Sequence, residues 1–311
     1  MLSVSAIKKN FPIFSYDPQL VYLDSTATSL KPQQIIDKEN EYYTKYSANI
    51  FRGIYKLSEK ATEEYEIVRD HVAEFIGAKD TREIVFVRNA TEAVNLVAIS
   101  WGLDNIKPED NVVTTIMEHH ANFVTWQHLS QVIGCELSVV GLKGDGYLDE
   151  KDFLNRINSK TKLVAFTHVS NVLGTINPVK RLVKEIKKRN SKCIVLIDGA
   201  QAVPHQKIDV TDLGCDFYVF SSHKMLGPTG VGVLWGKYEL LDGMQPYQYG
   251  GEMIQAVYVD HSEFKNPPYK FEAGTPHIAG VIGFGAAVDY LEKIGMESIR
   301  SHEIELVNYA L

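Results

Sequence analysis

Short apolar runs alternate along this chain with longer segments in which apolar residues recur at helical spacing. The short runs are rich in β-branched and aromatic residues, and each stops abruptly at polar residues. They occupy positions 84–87, 111–116, 136–140, 163–167, 193–198, 216–221 and 231–235. The helical segments occupy positions 91–101, 122–133, 149–157, 179–189 and 281–311, the last interrupted near Gly295. This alternation predicts an α/β fold in which a mostly parallel sheet is covered by helices.

Polar side chains follow two consecutive predicted strands at the point where each strand ends. The first strand ends at Asp198, and the second runs into Ser-Ser-His-Lys at 221–224. Because the carboxyl ends of parallel strands meet at one edge of a sheet, Asp198 and Lys224 are expected to lie close together. An amine for a Schiff base and an acid for a pyridinium nitrogen are what pyridoxal phosphate requires of a protein.

A third polar segment, Arg-Asn-Ala-Thr-Glu-Ala at 88–93, follows a predicted strand and opens a helix. Thr91 is expected to cap that helix, and the free N–H groups of its first turn would form a phosphate cradle. Taken alone, the pattern more often marks a plain helix cap. No G-x-G-x-x-G follows a predicted first strand, so the sequence gives no support for a dinucleotide site.

Composition excludes some partners and cofactors. The chain has 311 residues, 45% hydrophobic and 23% charged, with a net charge of −7. No basic face dominates, so we expect no nucleic-acid partner. No histidine or second acid lies at metal-ligand spacing from Asp198, so we expect no metal. No run is long enough to span a membrane, and the N-terminus lacks the apolar core of a signal peptide.

The three cysteines, Cys135, Cys193 and Cys215, are scattered and form no C-x-x-C motif. We expect all three to be reduced and buried in the core, which favours a cytoplasmic protein.

Seven short motifs, in their order along the chain, carry a family resemblance. They are Tyr-Leu-Asp-Ser-Thr-Ala-Thr-Ser at 22–29, Ala-Thr-Glu-Ala-Val-Asn-Leu-Val-Ala at 90–98, Met-Glu-His-His-Ala-Asn at 117–122, Thr-His-Val-Ser-Asn-Val-Leu-Gly at 167–174, Asp-Gly-Ala-Gln-Ala at 198–202, Phe-Ser-Ser-His-Lys at 220–224 and Phe-Glu-Ala-Gly-Thr-Pro at 271–276. Together they resemble the class V, fold-type I pyridoxal-phosphate enzymes of the group II cysteine desulfurase type, which includes selenocysteine lyase-like members. The resemblance implies the large-domain fold of those enzymes and a role in sulfur metabolism and iron–sulfur cluster assembly.

The resemblance implies a catalytic role for three residues: Lys224 forms the Schiff base, Asp198 pairs with the pyridine nitrogen, and His119 stacks on the ring. The other residues that it implies contact the cofactor are Ala90, Thr91, Asn171, Gln201, Ser221, His223 and Thr275. Thr275 would reach the phosphate bound by a second subunit, which implies a homodimer, and we expect Arg52 to cross the same interface.

The resemblance also implies a domain organisation. Residues 1–20 would belong to a small domain, 21–285 would form the cofactor-binding large domain, and 286–311 would lead into a C-terminal small domain that this sequence does not contain. The family's nucleophilic cysteine and carboxylate-binding arginine lie in that C-terminal segment, and none of the three cysteines matches the nucleophile. The chain therefore looks cut short.

Three functions remain open from the sequence. The first is a cysteine desulfurase, which converts L-cysteine to L-alanine, acts with a sulfur-acceptor protein and is impaired in this chain; its substrate could also be selenocysteine. The second is another class V enzyme, such as an aminotransferase, a kynureninase-like lyase or an epimerase. The third is a non-catalytic subunit that binds pyridoxal phosphate.

Overall fold

A seven-stranded sheet organises the protein, whose structure is a computed structural model that describes residues 3–311. The strands of this sheet are β1 (Ile84–Val87), β2 (Asn111–Thr115), β3 (Glu136–Val140), β4 (Thr161–Thr167), β5 (Ile194–Asp198), β6 (Phe217–Ser221) and β7 (Gly232–Gly236). Their order across the sheet is β1-β7-β6-β5-β4-β2-β3, and β7 alone is antiparallel to its neighbours. The predicted α/β fold with a mostly parallel sheet is therefore confirmed. A separate hairpin is formed by β8 (Ile254–Val257) and β9 (Ser262–Phe264).

Helices cover the sheet. They are α1 (Val4–Lys8), α2 (Ile13–Tyr16), α3 (Gln33–Lys45), α4 (Lys56–Phe75), α5 (Ala90–Val97), α6 (Leu103–Asn105), α7 (His120–Ile133), α8 (Glu150–Asn155), α9 (Val179–Arg189), α10 (Val210–Leu213), α11 (Tyr238–Gly243), α12 (Ile278–Ile294) and α13 (Met296–Ala310). Single turns of 3-10 helix lie at Thr81–Glu83, Ser222–Lys224 and Tyr269–Phe271, and a π-helical stretch at Ala98–Gly102 joins α5 to α6.

Two apolar clusters lie on opposite faces of the sheet. Along β5, Val195 and Ile197 belong to one cluster and Leu196 to the other, because successive strand residues point to opposite faces. The first cluster is completed by α4, α9 and α12, and the second by α5 and α7. Burial on both faces explains why the predicted strands are continuous apolar runs.

The two ends of the described chain pack together. Asn10 donates a hydrogen bond to the Tyr290 hydroxyl of α12 at 2.9 Å, and Phe11 contacts the Tyr290 ring edge-on. The predicted interruption lies at Gly295, whose φ of 89° separates α12 from α13. The domain boundary predicted at residue 285 falls inside α12, and the predicted segment 1–20 begins two residues before the described chain. The division into domains stays a prediction.

Candidate active site

The carboxyl edge of the sheet places an acid at the end of β5. Asp198 is buried, and its Oδ1 accepts a hydrogen bond from the backbone N–H of Ala200 at 2.9 Å. The chain then passes tightly against β6, because a Cβ added to Gly199 would lie 2.0 Å from the ring of Tyr218. Only glycine fits there, and the Ala200 N–H that follows it holds the Asp198 carboxylate in place.

A cavity of about 420 Å³ opens at this edge of the sheet. Nine of the ten predicted site residues line it. They are Ala90, Thr91, His119, Asn171, Asp198, Gln201, Ser221, His223 and Lys224. The structure thus brings together side chains that lie as much as 134 positions apart in the sequence, from Ala90 to Lys224.

Lys224 lies half-buried in the single helical turn that follows β6. Burial lowers the pKa of its amine, and the negative charge of Asp198 partly opposes that shift. Burial in turn raises the pKa of Asp198, and the Ala200 N–H and the charge of Lys224 oppose this shift. A lysine with a lowered pKa is more often in the neutral form that attacks a carbonyl carbon.

The start of α5 forms one end of the cavity. Asn89, and not Thr91 as predicted, caps this helix, since its side chain accepts a hydrogen bond from the N–H of Glu92 at 2.9 Å. Thr91 lies two positions later, as the second residue of the helix, and is exposed to the cavity. Both residue types are good caps, and the helix begins at Ala90, so its cap lies two residues before the predicted one. Because Asn89 caps the helix in place of Thr91, the Thr91 hydroxyl is available for a ligand.

Ser221 connects β6 to this helix start. Its hydroxyl oxygen accepts a hydrogen bond from the Ala90 N–H at 2.8 Å. On the other side, a Cβ on Gly232 of β7 would lie 2.5 Å from Cα of Asn89, so the strand packs directly against the cap. The N-terminus of α5, with its partial positive charge, is therefore held firmly at the cavity wall.

His119 lies on another wall and caps α7. Its Nδ1 accepts a hydrogen bond from the Ala121 N–H at 3.2 Å, which leaves the ring proton on Nε2. Burial and the positive charge of Lys224 lower the pKa of His119, so the neutral ring is favoured. His120 is not among the residues that line the cavity, in keeping with the expectation that adjacent histidines point different ways.

Glu118, which comes directly before His119 in the sequence, is a buried acid to which the sequence pattern assigned no role. Its carboxyl oxygens accept hydrogen bonds from Thr115 Oγ1 and Asn122 Nδ2, each at 2.6 Å. Burial raises its pKa to about 8, and these hydrogen bonds only partly oppose that shift. In the sequence, the only sign of this acid was its position directly before two histidines, and a local pattern of this kind does not reveal that the Glu118 side chain is buried.

The segment that follows residue 22 forms a further part of the cavity wall. Asp24, Thr26 and Ala27 line the cavity, and the Gln201 side chain donates a hydrogen bond to the Thr26 carbonyl at 2.9 Å. The motif at 22–29 was recognised in the sequence without a role for its residues. The structure places it against the predicted site residues.

Thr275 is the one predicted site residue that lies elsewhere. It is exposed and lines a second cavity, of about 450 Å³, together with Arg88, Glu92 and Tyr247. The adjacent Glu272 is buried and bonded to Arg69 at 2.7 and 3.0 Å, which holds the segment in place. Within one chain, therefore, Thr275 does not contribute to the first cavity.

The cysteines lie away from both cavities. Cys193 and Cys215 are buried, as predicted, whereas Cys135 is only half-buried against the second apolar cluster, because it follows α7 at the rim of the sheet. Burial raises the pKa of Cys193 to about 12 and that of Cys215 still further. These two thiols are therefore protonated and poor nucleophiles at neutral pH.

The residues around the first cavity fit pyridoxal phosphate. The start of α5 and the hydroxyls of Thr91 and Ser221 are suited to bind a phosphate. The Asp198 carboxylate is suited to pair with a pyridinium nitrogen, and Lys224 supplies an amine close enough for the negative charge of Asp198 to affect its pKa. Across residues 3–311, no group of three or more histidine, cysteine or acidic residues is placed to hold a metal ion. In the same part of the chain, no helix has the length and apolar character needed to cross a membrane.

Comparison with known proteins agrees with this geometry. The family described as aminotransferase class V matches residues 21–311. A probable cysteine desulfurase from Halalkalibacterium halodurans is 49% identical over all of this chain and 77% of its own length. A cysteine desulfurase from Haloferax volcanii is 47% identical over 99% of this chain and 76% of its own length.

Solved structures give the same result. An apo cysteine desulfurase from Thermococcus onnurineus has a TM-score of 0.93 and 40% identity, over 99% of this chain and 76% of that one. The cysteine desulfurase CsdA from Escherichia coli has a TM-score of 0.88 and 34% identity, over 96% of this chain and 74% of that one.

Proposed function

The chain belongs to the aminotransferase class V family, and from that premise we propose that it is a pyridoxal-phosphate-dependent cysteine desulfurase. The observation that carries the proposal is the cavity at the carboxyl edge of the sheet, where Lys224, Asp198 and His119 meet the start of α5. The names of the relatives, at 45–49% identity for the first five, support the choice of reaction.

When bound, pyridoxal phosphate withdraws electrons from the substrate Cα and thereby weakens the bond between Cβ and sulfur. Lys224, with its lowered pKa, would hold the cofactor and move a proton at the substrate Cα. Asp198 would keep the ring nitrogen protonated, because a buried carboxylate forms a strong hydrogen bond to a cationic N–H. His119 would cover one face of the ring and exclude water.

The remaining lining residues would bind and orient the cofactor. Thr91, Ser221 and His223, with the backbone at Ala90, would bind its phosphate. Gln201 and Asn171 would contact the phenolic oxygen, and Asn171 the substrate carboxylate. In support, all six of these residues line the same cavity, and the Gln201 side chain is oriented by its hydrogen bond to the Thr26 carbonyl.

Sulfur transfer needs a thiolate near the substrate sulfur. The thiolate attacks that sulfur, an S–S bond forms as the C–S bond breaks, and the released electron pair stays on the carbon that takes a proton to become the methyl group of alanine. None of the three cysteines lines the cavity, and two of them have strongly raised pKa values. We propose that a thiol other than these three cysteines, outside residues 1–311, accepts the sulfur, and that residues 1–311 alone turn over slowly.

A homodimer, a sulfur-acceptor protein and a cytoplasmic location complete the proposal. The exposed position of Thr275 on a second cavity supports the dimer, since a partner subunit could bring its own site to that residue. The three free cysteines support a reducing compartment. Cysteine and selenocysteine remain alternative substrates.

The test is a single-turnover assay with L-cysteine, pyridoxal phosphate and an added small thiol as sulfur acceptor. We expect alanine and thiol-bound sulfur in equal amounts, and none from Lys224→Ala. Omission of the added thiol should lower the yield at least about tenfold, because no other nucleophile is then present to take the sulfur. Formation of 3-mercaptopyruvate, in which the amino group has been transferred and the C–S bond is intact, would instead support an aminotransferase. Cofactor binding without any turnover of cysteine or selenocysteine would support a non-catalytic subunit.

A further inference from the structure

Four hydrogen-bond donors converge on one carbonyl oxygen next to Lys224. The carbonyl of His223 accepts from the Ser29 N–H at 3.0 Å, the Ser29 hydroxyl at 2.9 Å, the Thr28 hydroxyl at 3.1 Å and the Lys31 ammonium at 3.0 Å. A carbonyl oxygen has two lone pairs, so four donors are twice the usual capacity. All four donors belong to the loop at 28–31, which is far from β6 (Phe217–Ser221) in the sequence.

The same loop also binds the far side of the turn. Ser29 Oγ accepts a hydrogen bond from the Leu226 N–H at 2.8 Å. Residues 28–31 therefore hold the chain both before and after Lys224. Within the turn, the Ser222 carbonyl accepts hydrogen bonds from the N–H groups of Met225 at 2.9 Å and Gly227 at 3.0 Å. Neither bond involves the peptide unit between His223 and Lys224, whose carbonyl is held by the loop at 28–31.

Lys31 supplies the one charged donor of this group. Its ammonium contacts three acceptors: the Ser29 carbonyl at 2.6 Å, the His223 carbonyl at 3.0 Å and the Ser29 hydroxyl at 3.3 Å. Three N–H bonds and three acceptors match, so the group is satisfied inside the protein. Burial lowers its pKa to about 8, and Glu39 partly opposes that shift. Lys31 is not one of the residues lining the cavity, so it acts from behind Lys224.

The His223 carbonyl and the Lys224 N–H belong to one planar peptide unit. Fixing that carbonyl fixes the plane from which the Lys224 Cα and side chain project. We propose that Lys31 is a positioning residue that orients Lys224 toward the carbonyl carbon of the cofactor, an inference that rests on the role proposed for Lys224. Charge-assisted hydrogen bonds are about twice as strong as neutral ones, so the ammonium dominates the set of donors.

The test compares Lys31→Met, Lys31→Gln and Lys31→Arg with the matched control Lys45→Met. Lys45 is an exposed lysine at the end of α3 that pairs only with Glu41. In each variant, the rate of borohydride-trappable attachment of pyridoxal phosphate to Lys224 is measured by peptide mass spectrometry. In the Lys224→Ala background, the noncovalent affinity for pyridoxal phosphate is measured as well.

We expect Lys31→Met to slow attachment at least about tenfold, which corresponds to the loss of one charged hydrogen bond. Noncovalent affinity should change less than about threefold, because the phosphate contacts lie on α5 and β6. Lys31→Arg should recover most of the rate, Lys31→Gln should resemble Lys31→Met, and Lys45→Met should match the wild type. A general loosening of the site would instead weaken attachment and noncovalent affinity together, and that result would overturn the proposal.

Hydrogen exchange of the apoprotein gives a readout that needs no cofactor. Peptides covering 222–227 should exchange faster in Lys31→Met than in the wild type, and at the wild-type rate in Lys45→Met. Unchanged exchange together with an unchanged attachment rate would refute the role of Lys31. If the wild type never attaches the cofactor at Lys224, the proposed function fails, and the exchange experiment still decides whether Lys31 holds the turn.

Discussion

Replacing Glu118 by glutamine should change how stability depends on pH. The Glu118 carboxyl group is buried and bonded to Thr115 at the end of β2 and to Asn122 in the first turn of α7. Burial raises its pKa from the ordinary 4.5 to about 8, and the nearby charge of Asp198 acts in the same direction. Folded protein therefore keeps a proton on Glu118 at pH 6, whereas unfolded protein releases it.

The sign and size of the effect follow from this difference. Between about pH 4.5 and pH 8 the folded state binds more protons than the unfolded state, so the free energy of unfolding falls as pH rises. The slope from one such group is at most about 1.4 kcal/mol for each pH unit, or roughly 3 kcal/mol from pH 5 to pH 7. Glutamine has no proton to lose, so Glu118→Gln should lack this decline while keeping an oxygen for the Asn122 side chain.

The assay is urea unfolding of apoprotein at several pH values between 5 and 8, for the wild type and for Glu118→Gln. His168, whose pKa burial lowers to about 4, titrates in both proteins, so its contribution cancels in the difference. Exposed Glu63 on α4 provides the control Glu63→Gln, which should shift the profile little. We expect the free energy of unfolding of Glu118→Gln, relative to that of the wild type, to increase steadily as pH rises. A difference that stays constant across this range would show that Glu118 is ionised in the folded protein.

Three further predictions concern the site and the assembly. Asp198→Asn should lower the rate of cysteine turnover by about ten- to a hundredfold, since an amide cannot hold the ring nitrogen protonated. Its affinity for pyridoxal phosphate, measured by fluorescence titration, should change less than about fivefold. An unchanged rate would contradict the role of the acid. Glu272→Ala should lower the free energy of unfolding by about 1.5–3 kcal/mol in urea, because the buried Arg69 guanidinium loses two charge-assisted hydrogen bonds and keeps those to Glu66 and the Ile84 carbonyl, and a wild-type midpoint would refute this. Sedimentation should show a dimer when pyridoxal phosphate is bound, with Thr275 and Arg52 at the interface, and a monomer with full cofactor occupancy would count against it.

Local pattern was enough to predict most of the sheet and its functional edge. The strands β5 and β6 are apolar runs buried on both faces, and they stop where Asp198 and the Lys224 turn begin. Because parallel strands end at a common edge, the meeting of these residues followed from the order of the elements. The motif resemblance supplied the other predicted residues that line the cavity, but it gave no role to Asp24, Thr26 or Asn89, which line it as well.

Features that depend on long-range packing could not be predicted in the same way. The antiparallel direction of β7 follows from pairing with β1 and β6, and no local signal encodes it. Glu118 looks like a surface acid in the sequence, and its burial depends on Thr115 and Asn122 closing over it. The contact of Lys31 with the His223 carbonyl joins positions 192 residues apart.

The most direct test of the central claim is to locate the lysine that binds the cofactor. Purified protein is incubated with pyridoxal phosphate, reduced with borohydride, digested and analysed by mass spectrometry. We expect a visible absorbance band before reduction, a single reduced adduct on Lys224 and no adduct in Lys224→Ala. An adduct on Lys31 or on any other lysine, with Lys224 unmodified, would contradict the assignment of the site.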